Sequence, residues 1–222
     1  MDGAAGPSLS SGLGRVSGQA PHLYLASASP RRRELLEQIG VAYSLLAVTV
    51  DEEPHRGESP EIYVLRLALE KARAGYARVA DRDAGWVLGA DTSVVVDHDI
   101  LGKPRDKGEA IGMLRRLSGV THHVYTGVAL VGRDGEGTRL SVSAVSFRSL
   151  SPQECEDYWR SGEPADKAGG YAIQGRGAMF ISRLEGSYSG VMGLPLFETA
   201  ELMREFGLSG LPDGGHFEPG TH

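Results

Sequence analysis

Hydrophobic positions change period repeatedly along this chain, and each change marks a strand giving way to a helix or the reverse. Leu23 to Ala26 is a short apolar run that reads as a strand. Pro30 to Ile39 reads as a helix, with Ser29 at the N-cap, Pro30 at the first helical position and Gly40 as the stop. Tyr43 to Val48 reads as a second strand. Ser59-Pro60 opens a longer helix whose spacing predicts an inward face of Ile62, Leu65, Leu69, Ala72, Tyr76 and Val79. Trp86 to Leu88 and Ser93 to Val96 read as two strand segments flanking Gly89-Ala90-Asp91-Thr92, and Asp97-His98-Asp99 as a turn.

Asp106 with Glu109 resembles a capping box for a helix that ends at Ser118-Gly119. His122 to Val131 and Arg139 to Phe147 read as two strands joined through Asp134-Gly135. Ser151-Pro152-Gln153-Glu154 is a second capping box, Met179 to Leu184 a strand, and Pro195 to Phe206 a closing helix. Gly186 to Gly190 reads as a plain turn. The mixture predicts an α/β protein with a mixed rather than purely parallel sheet.

Both ends lack this patterning. Residues 1–20 are rich in Gly, Ser and Ala and read as a disordered leader, and 208–222 as a flexible tail, which leaves 21–207 as one domain. The leader lacks the basic start and apolar run of a signal peptide, and no stretch approaches the roughly 20 apolar residues of a membrane span. The net charge of -6 argues against nucleic acid or a membrane surface as partner. Cys155 is the single cysteine, so the chain is expected to work in a reducing cytoplasm.

Four features carry candidate chemistry. The first is Ser27-Ala28-Ser29-Pro30-Arg31-Arg32-Arg33, which puts three arginines in the first turn of a helix. Cations are disfavoured there by the helix dipole, unless a polyanion sits among them and the free N–H groups. A solvated turn with Arg33 paired to Glu37 is the alternative. The second is Asp91, read as a carboxylate at a strand end, which suits a metal ligand, a general base or an Asx turn. The third is the pair Lys71 and Lys103, either solvated or neutralising phosphate. The fourth is the glycine-rich run Asp166 to Gly177, where Gln174 offers an amide to a base edge and Tyr171 fills the core or stacks on a base. No Walker-type phosphate loop, dinucleotide fingerprint or zinc spacing is present.

In this order the segments resemble the Maf family of nucleotide pyrophosphatases. The matching pieces are Leu25 to Arg32, Glu70-Lys71-Ala72, Gly89 to Thr92, Leu101 to Pro104, Tyr125-Thr126-Gly127, Asp166 to Gly175, Gly186-Ser187-Tyr188 and Gly193 to Leu196. The resemblance covers about residues 23–207. It implies an elongated mixed β-sheet flanked by helices, with two lobes around a deep cleft (a Maf/ITPase-like fold). It implies hydrolysis of dTTP or UTP, with modified pyrimidine nucleotides as further candidates, to the monophosphate and pyrophosphate with Mg²⁺ or Mn²⁺. Asp91 matches the catalytic proton acceptor. Arg31, Thr92 and Gln174 match positions tied to substrate choice, and Ser27, Arg32, Lys71 and Lys103 the phosphate-binding positions. Glu52, in Asp51-Glu52-Glu53, matches an acidic pocket residue that would help Asp91 hold the metal, with Asp51 as the alternative. A homodimer is implied as well. The alternative is a non-catalytic nucleotide-binding regulator of cell division and septum formation.

Overall fold

A computed structural model describes residues 22–80 and 85–208. The expected leader lies outside the described residues, as does 209–222. Leu208, the first residue assigned to the tail, is buried against the core around Leu23, Leu202 and Met203.

The chain runs β1 (His22–Ala26), α1 (Pro30–Gln38), β2 (Ser44–Leu45), α2 (Pro60–Tyr76), β3 (Gly85–Val96), β4 (Asp99–Leu101) and α3 (Lys107–Leu117). It continues through β5 (Thr121–Gly132), β6 (Gly135–Phe147), α4 (Pro152–Arg160), β7 (Ile181–Glu185), α5 (Tyr188–Met192) and α6 (Leu196–Glu205). One seven-stranded sheet orders them β2-β1-β3-β5-β6-β7, with β4 also on β3. β1 is parallel to β2 and β3, and the remaining pairs are antiparallel. The sheet is therefore mixed and flanked by helices, as the alternation of periods predicts.

Several local readings change: β2 is Ser44–Leu45 rather than Tyr43 to Val48, and β6 begins at Gly135 rather than Arg139. The two strand segments flanking Gly89 to Thr92 are one 12-residue strand, β3, because β5 pairs with it continuously from Trp86 to Val95. Asp97 and His98 both take positive φ, which suits a two-residue turn into β4, a strand the sequence reading omitted. The Gly186 to Gly190 region, read as a plain turn, contains the start of α5, capped by Ser187 accepting from the Gly190 N–H. Of the two capping boxes, Ser151 with Glu154 is complete. Asp106 caps the Glu109 N–H, but the Glu109 carboxylate bonds the Arg105 backbone instead.

α2 is the helix that matters most for the site, and its inward face is only partly the predicted one: Ala72 is shared. Val64, Leu67, Ala68, Ala72 and Gly75 are buried, whereas Ile62 is 59% exposed. Val79 lies past the helix end yet is buried beside Ala26 and Val87. The small residues face inward because the helix backbone touches the sheet. A Cβ on Gly89 would stand 2.2 Å from the Ala68 carbonyl oxygen, and one on Gly127 would stand 2.5 Å from that of Val64. Both distances are far inside van der Waals contact, so only glycine allows the approach.

The opposite face of β3 serves two cores in succession. Trp86, Leu88 and Ala90 pack with β1, α1 and α6, while Val94 and Val96 pack with α3, α4 and Tyr171. Asp91 and Thr92 sit at the junction between these lobes.

Gly127→Ala should destabilise the fold by about 1–3 kcal/mol through overpacking. Gly112→Ala in α3, where a Cβ meets open space, should stabilise it by roughly 0.5–1 kcal/mol. Urea midpoints of the two variants against the parent check both signs.

Candidate functional site

β3 is paired along all of one edge and along only part of the other. β1 covers Gly85 to Gly89, and β4 covers Val94 to Val96. Among the described residues no strand pairs with 90–93 on that side. β1 ends there and releases Ser27 to Arg32 into the opening. β4 ends beside it and delivers Lys103. Successive strand residues point to opposite faces, so Asp91 belongs to the α2 face and Thr92 to the α1 face. At an interrupted edge both faces reach the same space.

That space is a cavity of about 600 Å³. All nine residues singled out from the sequence line it: Ser27, Arg31, Arg32, Glu52, Lys71, Asp91, Thr92, Lys103 and Gln174. Asp91 is not at a strand end, as expected, but in the middle of β3, and the Asx-turn alternative fails with it. The strand-end role belongs to its neighbours on β1 and β4. Arg33 is not among the lining residues, and Glu37, offered as its partner, instead accepts from the Tyr43 hydroxyl at 2.7 Å.

Lys71 stands between the two carboxylates. Its Nζ donates to Asp91 Oδ1 at 2.7 Å and pairs with Glu52 Oε1 at 2.6 Å. The shared ammonium lowers both acids, yet their net shifts are opposite. Burial pushes the Asp91 pKa up from its ordinary 3.8, against the opposing pull of Lys71 and Arg32. Burial also pushes Glu52 up, but less, since its side chain is 55% exposed; the Lys71 hydrogen bond and the charges of Lys71, Lys103 and Arg32 carry it below the usual value.

Arg32 fills the other side. Its Nε donates to the Gly193 carbonyl at 2.7 Å, Nη1 to Ser27 Oγ at 3.1 Å and Nη2 to Thr92 Oγ1 at 3.3 Å. The Thr126 hydroxyl donates to the Gly190 carbonyl at 2.8 Å and lies 3.0 Å from Thr92 Oγ1. Two hydroxyls and a carbonyl thus orient one guanidinium, with Thr126 behind Thr92; burial lowers its pKa although Asp91 and Glu52 raise it. The start of α1 keeps its own N–H groups uncapped by any side chain, and no acidic residue sits in its first turn. A helix N-terminus with arginines and no acid is an anion site in waiting.

Several lining residues had no role in the sequence reading. Tyr63 of α2 donates its hydroxyl to the Glu52 carbonyl at 2.7 Å, and its phenol, raised by burial and by the charges of Asp91 and Glu52 to about 12, stays protonated. Arg66, one turn on, grips Glu58 at 2.6 Å and the Glu53 carbonyl at 3.1 Å. Together they tie the loop that carries Glu52 to the helix that carries Lys71. Asp166 pairs with Arg31 at 3.6 Å and with Lys167, so Lys167 is a further lining cation. Lys167 was visible within the glycine-rich run; the Arg31 to Asp166 pairing joins distant segments and had no sequence signal.

The donor set is compatible with a hard divalent cation. Two carboxylate oxygens already converge on one positive point, the Lys71 ammonium, and Mg²⁺-type sites use one or two carboxylates completed by substrate phosphate and water.

Comparison with known proteins points one way. The family model described as Maf-like protein matches residues 22–206. A dTTP/UTP pyrophosphatase from Alkalilimnicola ehrlichii is 61% identical over 84% of this chain and 93% of its own length. Proteins of the same name from Myxococcus xanthus and Saccharophagus degradans are 55% and 54% identical, over 84% and 83% of this chain and 93% and 88% of theirs.

Replacing Lys71 by Met removes the hydrogen bond and the charge that hold both acids down. The Asp91 and Glu52 pKa values should both rise, seen by carboxyl ¹³C titration against pH. A value for Asp91 that stays put or falls in the folded variant would show that Lys71 does not set it.

Proposed function

This chain belongs to the Maf family, and we propose that it is a nucleoside triphosphate pyrophosphatase that cleaves dTTP and UTP between the α- and β-phosphates. Modified pyrimidine nucleotides are further candidates. The single observation that carries this reading is convergence. Arg31, Arg32, Lys71 and Lys103 meet the Asp91 carboxylate around one hollow of about 600 Å³. That falls within the size range of small-ligand pockets. The names of relatives at 52–61% identity support the same activity.

In the mechanism we propose, the triphosphate lies against the open start of α1 and between Arg31, Arg32 and Lys103. Ser27 and Thr92 keep the Arg32 guanidinium facing it, so Thr92 acts on substrate choice through Arg32. A water attacks the α-phosphorus while Asp91 accepts its proton; the bond from the α-phosphorus to the bridging oxygen breaks, and pyrophosphate departs with its charge neutralised by the cations. The raised Asp91 pKa makes it a better proton acceptor than an exposed aspartate, and the Lys71 ammonium and Arg32 beside it favour its charged form. The family implies a divalent cation; Mg²⁺ or Mn²⁺ held by Asp91 and Glu52 would neutralise phosphate charge and polarise the phosphoryl group. Gln174, exposed at the rim, offers its amide to the pyrimidine edge.

We also propose a homodimer acting in the cytoplasm. The first rests on the family resemblance and the second on the lone, buried thiol of Cys155. No helix among the described residues is long and apolar enough to cross a membrane.

Purified protein with UTP and Mn²⁺ should release pyrophosphate, and a panel of nucleotides should rank dTTP and UTP first. Asp91→Asn should lower turnover about 10²- to 10⁴-fold, the scale of one acid–base group. Wild-type-like turnover in that variant would remove Asp91 from the chemistry. Nucleotide binding without pyrophosphate release would instead identify a regulator.

A further inference from the structure

Gln174 has an unusual support. Its side chain is exposed, and among the described residues no side-chain hydrogen bond holds its amide. With no side-chain bond to hold it, only the backbone fixes where that side chain starts. The backbone, in turn, is gripped from the side away from the cavity by two residues that do not line it, Tyr158 of α4 and Glu163.

The grip is complete in hydrogen-bond terms. The Ala172 N–H donates to the Tyr158 hydroxyl oxygen at 3.1 Å, and that hydroxyl donates to Glu163 Oε1 at 2.6 Å. The Gly177 N–H donates to the same Oε1 at 3.1 Å, and the Arg176 N–H to Oε2 at 2.9 Å. Residues on both sides of Gln174 are thus tied to one carboxylate. A short turn closes the loop itself, with the Gly175 N–H donating to the Ala172 carbonyl at 3.2 Å. Space is equally tight: a Cβ on Gly175 would fall 2.4 Å from Glu163 Oε2, and one on Gly177 would fall 2.8 Å from the Tyr158 hydroxyl. Burial raises the Glu163 pKa, but the bonds from Tyr158, Arg176 and Gly177 bring it below the ordinary value. The carboxylate is therefore ionised and accepts on both oxygens.

We propose that Tyr158 and Glu163 are positioning residues for nucleobase discrimination, acting through the backbone that carries Gln174. The inference rests on the reading of Gln174 as the group that meets the base. Rigid support matters here because an amide misplaced by about 1 Å loses most of its selectivity. Glu163→Gln keeps the shape but turns one acceptor into an NH₂ facing a backbone N–H, so the grip on one side opens. Tyr158→Phe breaks the link to Ala172 more gently and preserves the ring packing against Phe180.

The test is a double-mutant cycle on substrate choice. The kcat/KM of UTP over ATP is measured for the parent, Glu163→Gln, Tyr158→Phe, Gln174→Ala, and each single change combined with Gln174→Ala. Discrimination should fall about 10-fold in Glu163→Gln and somewhat less in Tyr158→Phe, mainly through KM for UTP. In the Gln174→Ala background the same changes should move the ratio less than about 2-fold. Hydrogen exchange at Ala172, Arg176 and Gly177 should speed up in Glu163→Gln. Unchanged discrimination in folded single variants, or equal losses with and without Gln174, overturns this inference alone. A parent protein that does not prefer UTP to ATP overturns the base-reading role of Gln174 and this inference with it.

Discussion

The close seat of α2 on the sheet is the constraint from which the site follows. Gly89 and Gly127 have no side chains, so the helix backbone lies against β3 and β5 at Ala68 and Val64. At that distance Lys71 needs no long reach to put its ammonium 2.7 Å from Asp91. A helix held off by even one methyl layer would leave a buried carboxylate without its partner, and an unpaired buried charge costs far more than a paired one gains. Val64, Ala68 and Ala72 are small for the same reason. The packing and the electrostatics at this point are one feature.

A second constraint is topological. Open α/β sheets bind ligands where neighbouring strands part company, because loops there can fold into a crevice. Here β1 and β4 share one edge of β3 and leave 90–93 between them. That interruption lets adjacent residues with opposite directions, Asp91 and Thr92, face one ligand. It also sets the two hydrophobic lobes on either side, so the cavity sits where the cores of the molecule meet.

The hollow inverts the character of the whole chain. A protein with net charge -6 gathers Arg31, Arg32, Lys71, Lys103 and Lys167 around one cavity. Four of the five are tempered by direct contacts: Lys71 by Asp91 and Glu52, Arg31 and Lys167 by Asp166, and Arg32 by neutral hydroxyls and a carbonyl. Opposite charges within hydrogen-bond distance keep such a cluster stable before any ligand arrives, and a polyanion can replace the internal acids one for one.

The sequence by itself determined what short-range physics controls. The helix starts after Ser29, Ser59 and Ser151, the long strands β5 and β6, the mixed α/β class and the family resemblance are all written in local pattern. The nine candidate residues could be named because they stand in short motifs. Only the tertiary structure decided that Asp91 lies mid-strand at an open edge, that α2 turns Ala68 rather than Ile62 inward, and that Tyr63, Asp166, Tyr158 and Glu163 surround the site. These outcomes depend on which strands pair, in what register, and on how closely a helix can approach a particular glycine. Periodicity along one chain carries no record of those distances, because each is fixed by two segments far apart in sequence meeting in space.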